Sequence, residues 1–307
     1  MGLRYLVTGA AGFIGRHASR MLKERGHEVT TSDIKGEVDI ITDLSDTDWS
    51  KFELGRFDGV VHLGALTSVP ESIDKPDEYK IVNEKGTMDL FSSCVENAVP
   101  VVVFASTAAA YGDSDASIKV VGDEGEIGSR YAKTKIAGEM SAKELGSDST
   151  RFVCLRFFNV YGPGQSTDSS YAAVIPNFIE RAIVGDDLEI FGDGTQTRDF
   201  VHVFDVVRAI IGSIERNIGK FVIVNVGSGN GITINSLAET IVSIVQSRGF
   251  GASKIIYKEI RQGDVLHSVA DISGLQDLIG MKQMRPLDEG LEELIDYYID
   301  SRLAGDF

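Results

Sequence analysis

Hydrophobic and polar positions form two different patterns along the first two hundred residues. Short runs rich in β-branched side chains predict strands, and the longer amphipathic stretches between them predict helices. The predicted strands cover residues 5–8, 28–32, 59–63, 101–106 and 152–157, and the predicted helices cover residues 12–25, 76–97 and 129–145. Because parallel strands need crossover connections, this order predicts an α/β fold, with a doubly wound parallel sheet that carries helices on both faces.

The pattern becomes less regular after about residue 160. Residues 162–171 and 191–197 are rich in Gly, Ser, Thr and Asp, which is typical of loops. Further helices are predicted over residues 172–184, 205–216, 234–248 and 286–302. We therefore expect a larger unit over residues 1–160 and a smaller C-terminal α/β lobe over residues 161–307, with some later elements returning to the first sheet.

The composition and net charge mainly exclude certain classes of protein. The chain has 307 residues, 43% of them hydrophobic, so it can bury a core. A net charge of −16 opposes binding to nucleic acid or to an anionic membrane, and the longest uncharged run, residues 97–112, is too short to span a bilayer. Cys94 and Cys154 suit neither a disulfide framework nor a zinc site, which favours a reducing, cytoplasmic location. His62 and His202 lack a spaced cluster of ligands, so we expect no metal.

A glycine-rich turn joins the first predicted strand to the first predicted helix. Gly9, Gly12 and Gly15 have the spacing G-x-x-G-x-x-G, which lets the backbone turn tightly and approach a diphosphate at a helix N-terminus. Three glycines alone are equally typical of a turn that needs positive φ. Asp33, however, ends the second strand eighteen residues after Gly15, where a carboxylate can bind both hydroxyls of an adenosine ribose and repel a 2′-phosphate. Together these features predict a Rossmann-type site that prefers NAD to NADP.

Tyr131 and Lys135 are four residues apart on a predicted helix, so they share one of its faces. An ammonium group lowers the pKa of a nearby phenol, which can then take a proton from an alcohol while hydride leaves the same carbon. Thr107 follows the strand at residues 101–106, at the edge where ligands of open α/β sheets bind. A Tyr-x-x-x-Lys pair alone favours a surface pair, but beside the glycine turn it predicts a catalytic group.

A series of short motifs runs in order through nearly the whole chain. They are TGAAGFIG at 8–15, VHLGA at 61–65, NEKGT at 83–87, STAAAYG at 106–112, YAKTK at 131–135, LRFFNVYGP at 155–163, TRDFVH at 197–202 and RQGD at 261–264, together with Asp33 and the pair Asp43 and Leu44. In these motifs the chain resembles the extended short-chain dehydrogenase/reductase family, in its NAD-dependent nucleotide-sugar epimerase and dehydratase branch.

The resemblance implies a role for each matching residue. Tyr131 would be the catalytic base, Lys135 would hold the nicotinamide ribose and tune Tyr131, and Thr107 would assist with its hydroxyl. Contacts with NAD are implied for Gly9, Gly12, Phe13, Ile14, Gly15, Asp33, Asp43, Leu44, Leu63, Ala65, Asn83, Tyr131, Lys135 and Phe158. Contacts with a UDP-sugar are implied for Thr107, Asn159, Arg198, Arg261, Asp264 and Ser268, with the two arginines on the diphosphate. Arg198 could instead pair with Asp199 or Asp205.

The two positions after Thr107 distinguish reactions within the branch. Dehydratases of the branch carry Asp-Glu there and decarboxylases usually keep a Glu, whereas this chain has Ala108 and Ala109. The resemblance therefore implies 4-epimerisation of UDP-glucose and UDP-galactose, by transient oxidation at C4 and return of the same hydride. The small Ser268 leaves room for N-acetylated forms, and Thr67, where galactose-type epimerases often have Lys, leaves the sugar open. The alternatives are an NADH-consuming 4-ketosugar reductase, a UDP-glucuronate 4-epimerase and a non-catalytic NAD-binding regulator.

Assembly is also implied by the resemblance. The helices predicted over residues 76–97 and 129–145 match helices that pair across a two-fold axis in this family, so we expect a homodimer. Met88, Phe91 and Val95 are candidates for the contact, although some of them must cover the sheet instead.

The resemblance also assigns the two units. Residues 1–160 would be the NAD-binding unit, and residues 161–307 would mainly be the lobe that binds the nucleotide sugar.

Overall fold

The computed structural model describes residues 2–165, 174–251, 253–260 and 265–304. Its strands are β1 Arg4–Thr8, β2 Glu28–Asp33, β3 Ile40–Ile41, β4 Gly59–His62, β5 Val101–Thr107, β6 Ile118–Lys119, β7 Arg151–Phe157, β8 Asn159–Tyr161, β9 Leu188–Phe191, β10 Thr197–His202, β11 Phe221–Val226, β12 Gly231–Thr233, β13 Ile255–Lys258 and β14 His267–Ala270. Its α-helices are α1 Phe13–Glu24, α2 Glu71–Asp74, α3 Pro76–Tyr79, α4 Gly86–Glu96, α5 Arg130–Leu145, α6 Val174–Val184, α7 Val203–Glu215, α8 Ile234–Ser247 and α9 Leu287–Ala304.

Seven strands form the main sheet in the order β11-β7-β5-β4-β1-β2-β3, and each neighbouring pair is parallel. β5 is buried along its whole length, as expected for a strand covered by helices on both faces. The strand order reverses beside β1, and such a reversal opens a crevice at the carboxyl ends of the strands, where ligands bind. The predicted doubly wound parallel sheet is therefore confirmed.

Two apolar clusters cover the faces of this sheet. On one face α1 packs against α7, and Leu22 and Ile210 from these helices share a cluster with the sheet. On the other face the Phe91 ring of α4 lies 5.4 Å from that of Phe104 and 5.0 Å from that of Phe152, measured between centroids. Phe91 therefore covers the sheet, whereas Met88 on the same helix is 42% exposed.

The stretch predicted as a single helix over residues 76–97 is divided in the structure. A π-helical turn at Lys80–Lys85 separates α3 from α4. Two close contacts lie at this break: the Asn83 side chain bonds to Leu66, and a Cβ on Gly86 would lie 2.3 Å from the Leu44 carbonyl oxygen. Hydrophobic periodicity cannot show one extra residue in a turn, and such turns often lie at functional sites.

The smaller lobe is built mostly from the second half of the chain. Its sheet has the order β12-β10-β14-β6, with β8 also paired to β10, and β13 pairs separately with β9. The helices α6, α8 and α9 enclose a third apolar cluster, which includes Ile179, Leu237 and Leu294. Elements cross between the units, since α7 and β11 belong to the main sheet while β6 belongs to the smaller lobe. The division at residue 160 stays a prediction.

Candidate functional site

A cavity of about 900 Å³ opens at the carboxyl edge of the main sheet, where the topology places ligands. Its wall is formed by the glycine turn, the residues that follow β2, β3, β4 and β7, and the first turns of α5. The sequence-predicted residues that line it are Gly9, Gly12, Phe13, Ile14, Gly15, Asp33, Asp43, Leu44, Leu63, Ala65, Thr107, Tyr131, Lys135 and Phe158. The structure therefore brings the predicted catalytic residues and nearly all predicted cofactor contacts to one cavity.

The glycine turn forms one end of the cavity. Gly9 has a φ of +68°, and a Cβ there would lie 2.6 Å from the Gly64 backbone nitrogen. A Cβ on Gly15 would lie 2.0 Å from the Gly9 carbonyl oxygen, so only glycine lets α1 approach β1 this closely. Gly12 precedes α1 as its N-cap and provides no side-chain cap. The N–H groups of the first helical turn therefore remain available to an anion such as a diphosphate.

Asp33 connects the end of β2 to this turn. Its Oδ2 accepts a hydrogen bond from the Ala11 N–H at 2.9 Å, and its Oδ1 accepts one from the Ile34 N–H at 2.7 Å. Each carboxylate oxygen can accept a second hydrogen bond, so both can still bind ribose hydroxyls. The same negative charge disfavours a 2′-phosphate at this position, which fits NAD rather than NADP.

Asn83 differs from the other predicted cofactor contacts because it lies behind the cavity wall. Its side chain is 1% exposed and forms a two-way pair with the backbone of Leu66, at 2.8 Å in each direction. Its Nδ2 also donates to the Thr134 hydroxyl at 3.3 Å. Asn83 thus holds the loop after β4 against α5, and it shapes the cavity without lining it.

The candidate catalytic pair lies where β5 ends and α5 begins. Ser129 caps α5 by accepting from the Ala132 N–H at 3.2 Å, which fixes the helical turn that carries Tyr131. Thr107 Oγ1 accepts from the Ala109 N–H at 3.1 Å, and the Thr107 hydroxyl also hydrogen-bonds to the Tyr131 phenol. Since the Thr107 oxygen already accepts one bond, its own proton is free to point at the phenolic oxygen, which favours the phenolate.

The pKa values of this group differ from the sequence prediction. Burial raises the pKa of the Tyr131 phenol, and the hydrogen bond from Thr107 only partly opposes this. Burial also lowers the pKa of the Lys135 ammonium to about 7, against an opposing attraction from Glu139. The predicted lowering of the tyrosine pKa by Lys135 is therefore not found: burial dominates the pKa of Tyr131, and the opposing contribution comes from Thr107.

The two histidines form hydrogen bonds within the fold. His62 is fully buried, with Nδ1 2.7 Å from Thr8 Oγ1 and Nε2 3.0 Å from Thr87 Oγ1. Burial lowers the pKa of His62 to about 3, so a neutral ring connects the glycine turn to α4. His202 caps α7 by accepting from the Phe204 N–H at 3.3 Å.

Of the predicted substrate contacts, Thr107 lines this cavity, whereas Asn159, Arg198 and Ser268 lie on the smaller sheet, outside the lining. Arg198 on β10 is in register with Ser268 on β14, and Asn159 on β8 is in register with Phe200. Asn159 also stands between Phe158 and Val160, which both line the cavity. Arg261 and Asp264, the other two predicted contacts, lie outside the described residues.

The acidic residues considered as partners of Arg198 bind other groups. Asp199 accepts from the backbone N–H groups of Ser228, Gly229 and Ala270, at 2.7 to 3.0 Å. Asp205 pairs with Arg208, with 2.7 Å between Oδ1 and Nη1. Asp199 therefore ties β10 to the loop after β11 and to β14, which positions the strand that carries Ser268.

Sequence reasoning missed a buried ion pair beneath the catalytic group. Glu139 lies one turn after Lys135 on α5, and it accepts from Arg156 Nε at 2.9 Å and from Nη2 at 2.7 Å. Both residues are 3% exposed. Two signals could have indicated the pair: an arginine inside the apolar strand β7, and a carboxylate four residues after the predicted catalytic lysine.

Comparison with known proteins agrees with the fold. Residues 5–227 match the model of a family described as the NAD dependent epimerase/dehydratase family. A UDP-N-acetyl-alpha-D-glucosaminuronate decarboxylase from Bacillus cytotoxicus is 30% identical, over 97% of this chain and 98% of the relative. The family resemblance and the predicted cofactor, NAD, are thereby confirmed.

Two solved structures are similar along almost their whole length. A UDP-N-acetylglucosamine 4-epimerase from Methanobrevibacter ruminantium, in complex with UDP-N-acetylmuramic acid, is 35% identical with a TM-score of 0.89, covering 98% of this chain and 99% of that one. A UDP-glucose 4-epimerase from Thermotoga maritima, with UDP-glucose, is 30% identical with a TM-score of 0.86, covering 98% of this chain and 100% of that one.

Across the part of the chain that the structure describes, no helix is long and apolar enough to cross a membrane.

Proposed function

Because the chain belongs to the NAD-dependent epimerase/dehydratase family, we propose that it is a UDP-sugar 4-epimerase, which inverts C4 by transient oxidation. The observation that carries this proposal is the lack of a carboxyl group beside Thr107 and Tyr131 among the described cavity-lining residues. A short 3-10 helix begins directly after Thr107 with Ala108 and Ala109, whose methyl groups can neither donate nor accept a proton. Elimination or decarboxylation assisted by a carboxyl group at these positions is therefore disfavoured.

The carboxylates that do line the cavity lie elsewhere. Asp33 ends β2, three strands away from β5, which corresponds to about 14 Å at the usual strand spacing. Asp43 follows β3, which lies one strand further out. Glu78 on α3 is 3.8 Å from the Lys75 ammonium, an exposed surface pair. Their positions fit cofactor binding and surface pairing better than acid–base chemistry at the sugar.

Tyr131 would move the proton in this reaction. Its phenolic oxygen would take the proton of the sugar 4-hydroxyl and later return it, and Thr107 would stabilise the phenolate by donating a hydrogen bond. Lys135 would add positive charge from the same face of α5. Bound NAD would accept a hydride from C4 and return it, so the cofactor would not be consumed.

The glycine turn and Asp33 would hold the cofactor. The open N-terminus of α1 suits its diphosphate, and the Asp33 carboxylate suits its adenosine ribose. On the substrate side, Arg198 would bind the UDP diphosphate, together with Arg261 and Asp264 from outside the described residues. Asn159 and Ser268 would contact the sugar nucleotide.

The sugar itself is best identified by direct assay. Pure protein is incubated with UDP-glucose, UDP-N-acetylglucosamine or UDP-glucuronate without added NAD, and the products are identified by NMR. We expect the 4-epimer of UDP-glucose, of UDP-N-acetylglucosamine or of both to accumulate catalytically. Loss of carbon dioxide from UDP-glucuronate, or turnover that requires stoichiometric NADH, would contradict the proposal and favour a decarboxylase or a 4-ketosugar reductase.

UDP-glucuronate is the second candidate substrate. The observation that favours it is the uronate in the name of the Bacillus cytotoxicus relative. Thr67 lines the cavity and carries no charge that would repel a carboxylate, and its hydroxyl can donate a hydrogen bond. Epimerisation of UDP-glucuronate alone in the assay above would assign this activity.

The homodimer belongs to the proposal as well, as does a cytoplasmic location. Met88 on α4 and Met140 on α5 are 42% and 59% exposed, and the two helices are neighbours. Phe91 and part of Val95 pack on the sheet instead, which leaves the two methionines as candidates for contact with a second copy. Light scattering that gives a particle of 33.2 kDa, the mass of one chain, would contradict a dimer.

A further inference from the structure

The Lys135 ammonium is enclosed by the fold. It is 2% exposed, and its Nζ lies 4.5 Å from the centroid of the Phe104 ring on β5. A buried ammonium tends to lose its proton, because the charged form has been removed from water. A neutral amine could not stabilise the Tyr131 phenolate, so the proposed chemistry needs a group that keeps Lys135 charged.

Titratable groups approach Lys135 from three elements. Helix α5 contributes Tyr131 and Glu139, and β4 contributes His62. Strand β7 contributes Cys154 and also Arg156, which binds Glu139. Burial raises the pKa of the Cys154 thiol and lowers that of His62, so both are neutral near pH 7. Of the two charged groups, Arg156 is a cation, which leaves Glu139 as the described neighbour whose charge can favour the ammonium.

Glu139 is held rigidly for this purpose. Besides the two bonds from Arg156, its Oε1 accepts from the Ser106 hydroxyl at 2.5 Å. Ser106 directly precedes Thr107, so the same carboxylate also fixes the end of the strand that carries the catalytic hydroxyl. Arg156 pairs at its other end with Glu124, and the three charges therefore sum to −1.

We propose that Glu139 is a positioning residue that acts through Lys135, because its carboxylate, oriented by Arg156 and Ser106, keeps the buried ammonium protonated beside Tyr131. This inference rests on the proposed function in one respect only, namely that the charged lysine stabilises the Tyr131 phenolate. A charge buried in the low-dielectric interior needs an opposite charge nearby, and Glu139 is the described carboxylate that supplies it to Lys135.

The test measures Lys135 directly and needs no sugar substrate. The NAD-loaded protein is labelled with ¹³C-lysine, and the Cε signal that disappears in Lys135→Met is followed against pH. We expect Glu139→Gln to lower the pKa of Lys135 by about one unit, since the Glu139 carboxylate is the opposite charge that favours the ammonium. Glu124→Gln is the matched control, because Glu124 is the other carboxylate that pairs with Arg156. Glu124 is not among the groups that act on Lys135, so we expect a smaller shift of the Lys135 pKa.

Removing one partner of a buried ion pair can unfold a protein. The double variant Glu139→Gln with Arg156→Met removes both charges and should fold. We expect a downward shift that is smaller than in Glu139→Gln, because the loss of the Arg156 cation acts in the opposite direction. An unchanged Lys135 pKa in the double variant, or an equal shift in Glu124→Gln, would overturn the inference. With a substrate, the alkaline limb of kcat should move to lower pH in Glu139→Gln, whereas a purely structural role would lower kcat equally at every pH. Failure of the proposed function would leave the NMR result unaffected.

Discussion

The cavity contains the proposed cofactor side, and the proposed substrate side lies on the smaller sheet next to it, but the two rest on different kinds of backbone. The cofactor side uses the ends of long parallel strands and one tight turn, and segments such as residues 8–15 position several contacts at once. The substrate side uses β8, β10 and β14, short strands that meet only through pairing between distant segments. Thr197 and His267, for example, share a 2.9 Å hydrogen bond although seventy residues separate them.

This difference decides what a sequence can show. A turn with Gly9, Gly12 and Gly15 encodes its geometry within seven residues, because each glycine answers a local steric demand. The register of Arg198 with Ser268 depends on tertiary folding, and only the family resemblance indicated it. We therefore expect changes on the cofactor side to act on cofactor retention and turnover, and changes on the substrate side to act on selectivity.

The largest effect is expected where the two sides meet, at Tyr131. Tyr131→Phe removes the proposed proton carrier, and kcat should fall about a thousandfold while bound NAD is retained. Steady-state kinetics and the NAD content of the pure protein measure the two properties. Tyr257→Phe is the control, because this tyrosine is 57% exposed in the smaller lobe. Equal activity in the two variants would show that another group carries the proton.

A change in the glycine turn should weaken the binding of the cofactor rather than change the selectivity for the sugar. A Cβ on Gly15 would lie 2.0 Å from the Gly9 carbonyl oxygen, so Gly15→Ala must push α1 away from β1. We expect loss of bound NAD and destabilisation of about 1–3 kcal/mol, measured by cofactor content and by urea denaturation. Gly128→Ala, where a Cβ would meet no atom within 4 Å, should change neither property. Full NAD content in Gly15→Ala would contradict this account of the turn.

The charge of Asp33 should set the choice of cofactor. Asp33→Asn keeps the side-chain shape and removes the repulsion of a 2′-phosphate, so the preference for NAD over NADP should narrow about tenfold, or about 1.4 kcal/mol. Titration of the cofactor-free protein with both dinucleotides measures it. Asp39→Asn is the control, since Asp39 accepts from Thr31 at 2.8 Å and does not line the cavity. Equal affinity of the wild-type protein for NAD and NADP would remove the role given to Asp33.

The same contrast between local and long-range determinants runs through the rest of the fold. The helix predicted over residues 129–145 is found at Arg130–Leu145, and its start is fixed locally, because the Ser129 side chain caps its first turn. The break at Lys80–Lys85 was missed, because it coincides with contacts that Asn83 and Gly86 make with other segments. The pKa of Tyr131 could not be predicted either, since desolvation depends on everything that packs around the phenol.

Selectivity on the proposed substrate side should depend on Ser268, with an effect no larger than that expected at Asp33. Ser268 is half-buried beside Arg198 in the β10–β14 register, whereas its neighbour His267 bonds to Thr197. A tyrosine at position 268 would fill the volume that an N-acetyl group needs. The ratio of kcat/KM for UDP-N-acetylglucosamine to that for UDP-glucose should therefore fall about tenfold in Ser268→Tyr. Ser268→Ala keeps the side chain small and should leave the ratio unchanged. If tyrosine also leaves it unchanged, Ser268 does not gate the sugar pocket, and the assignment of β14 to the substrate side fails with it.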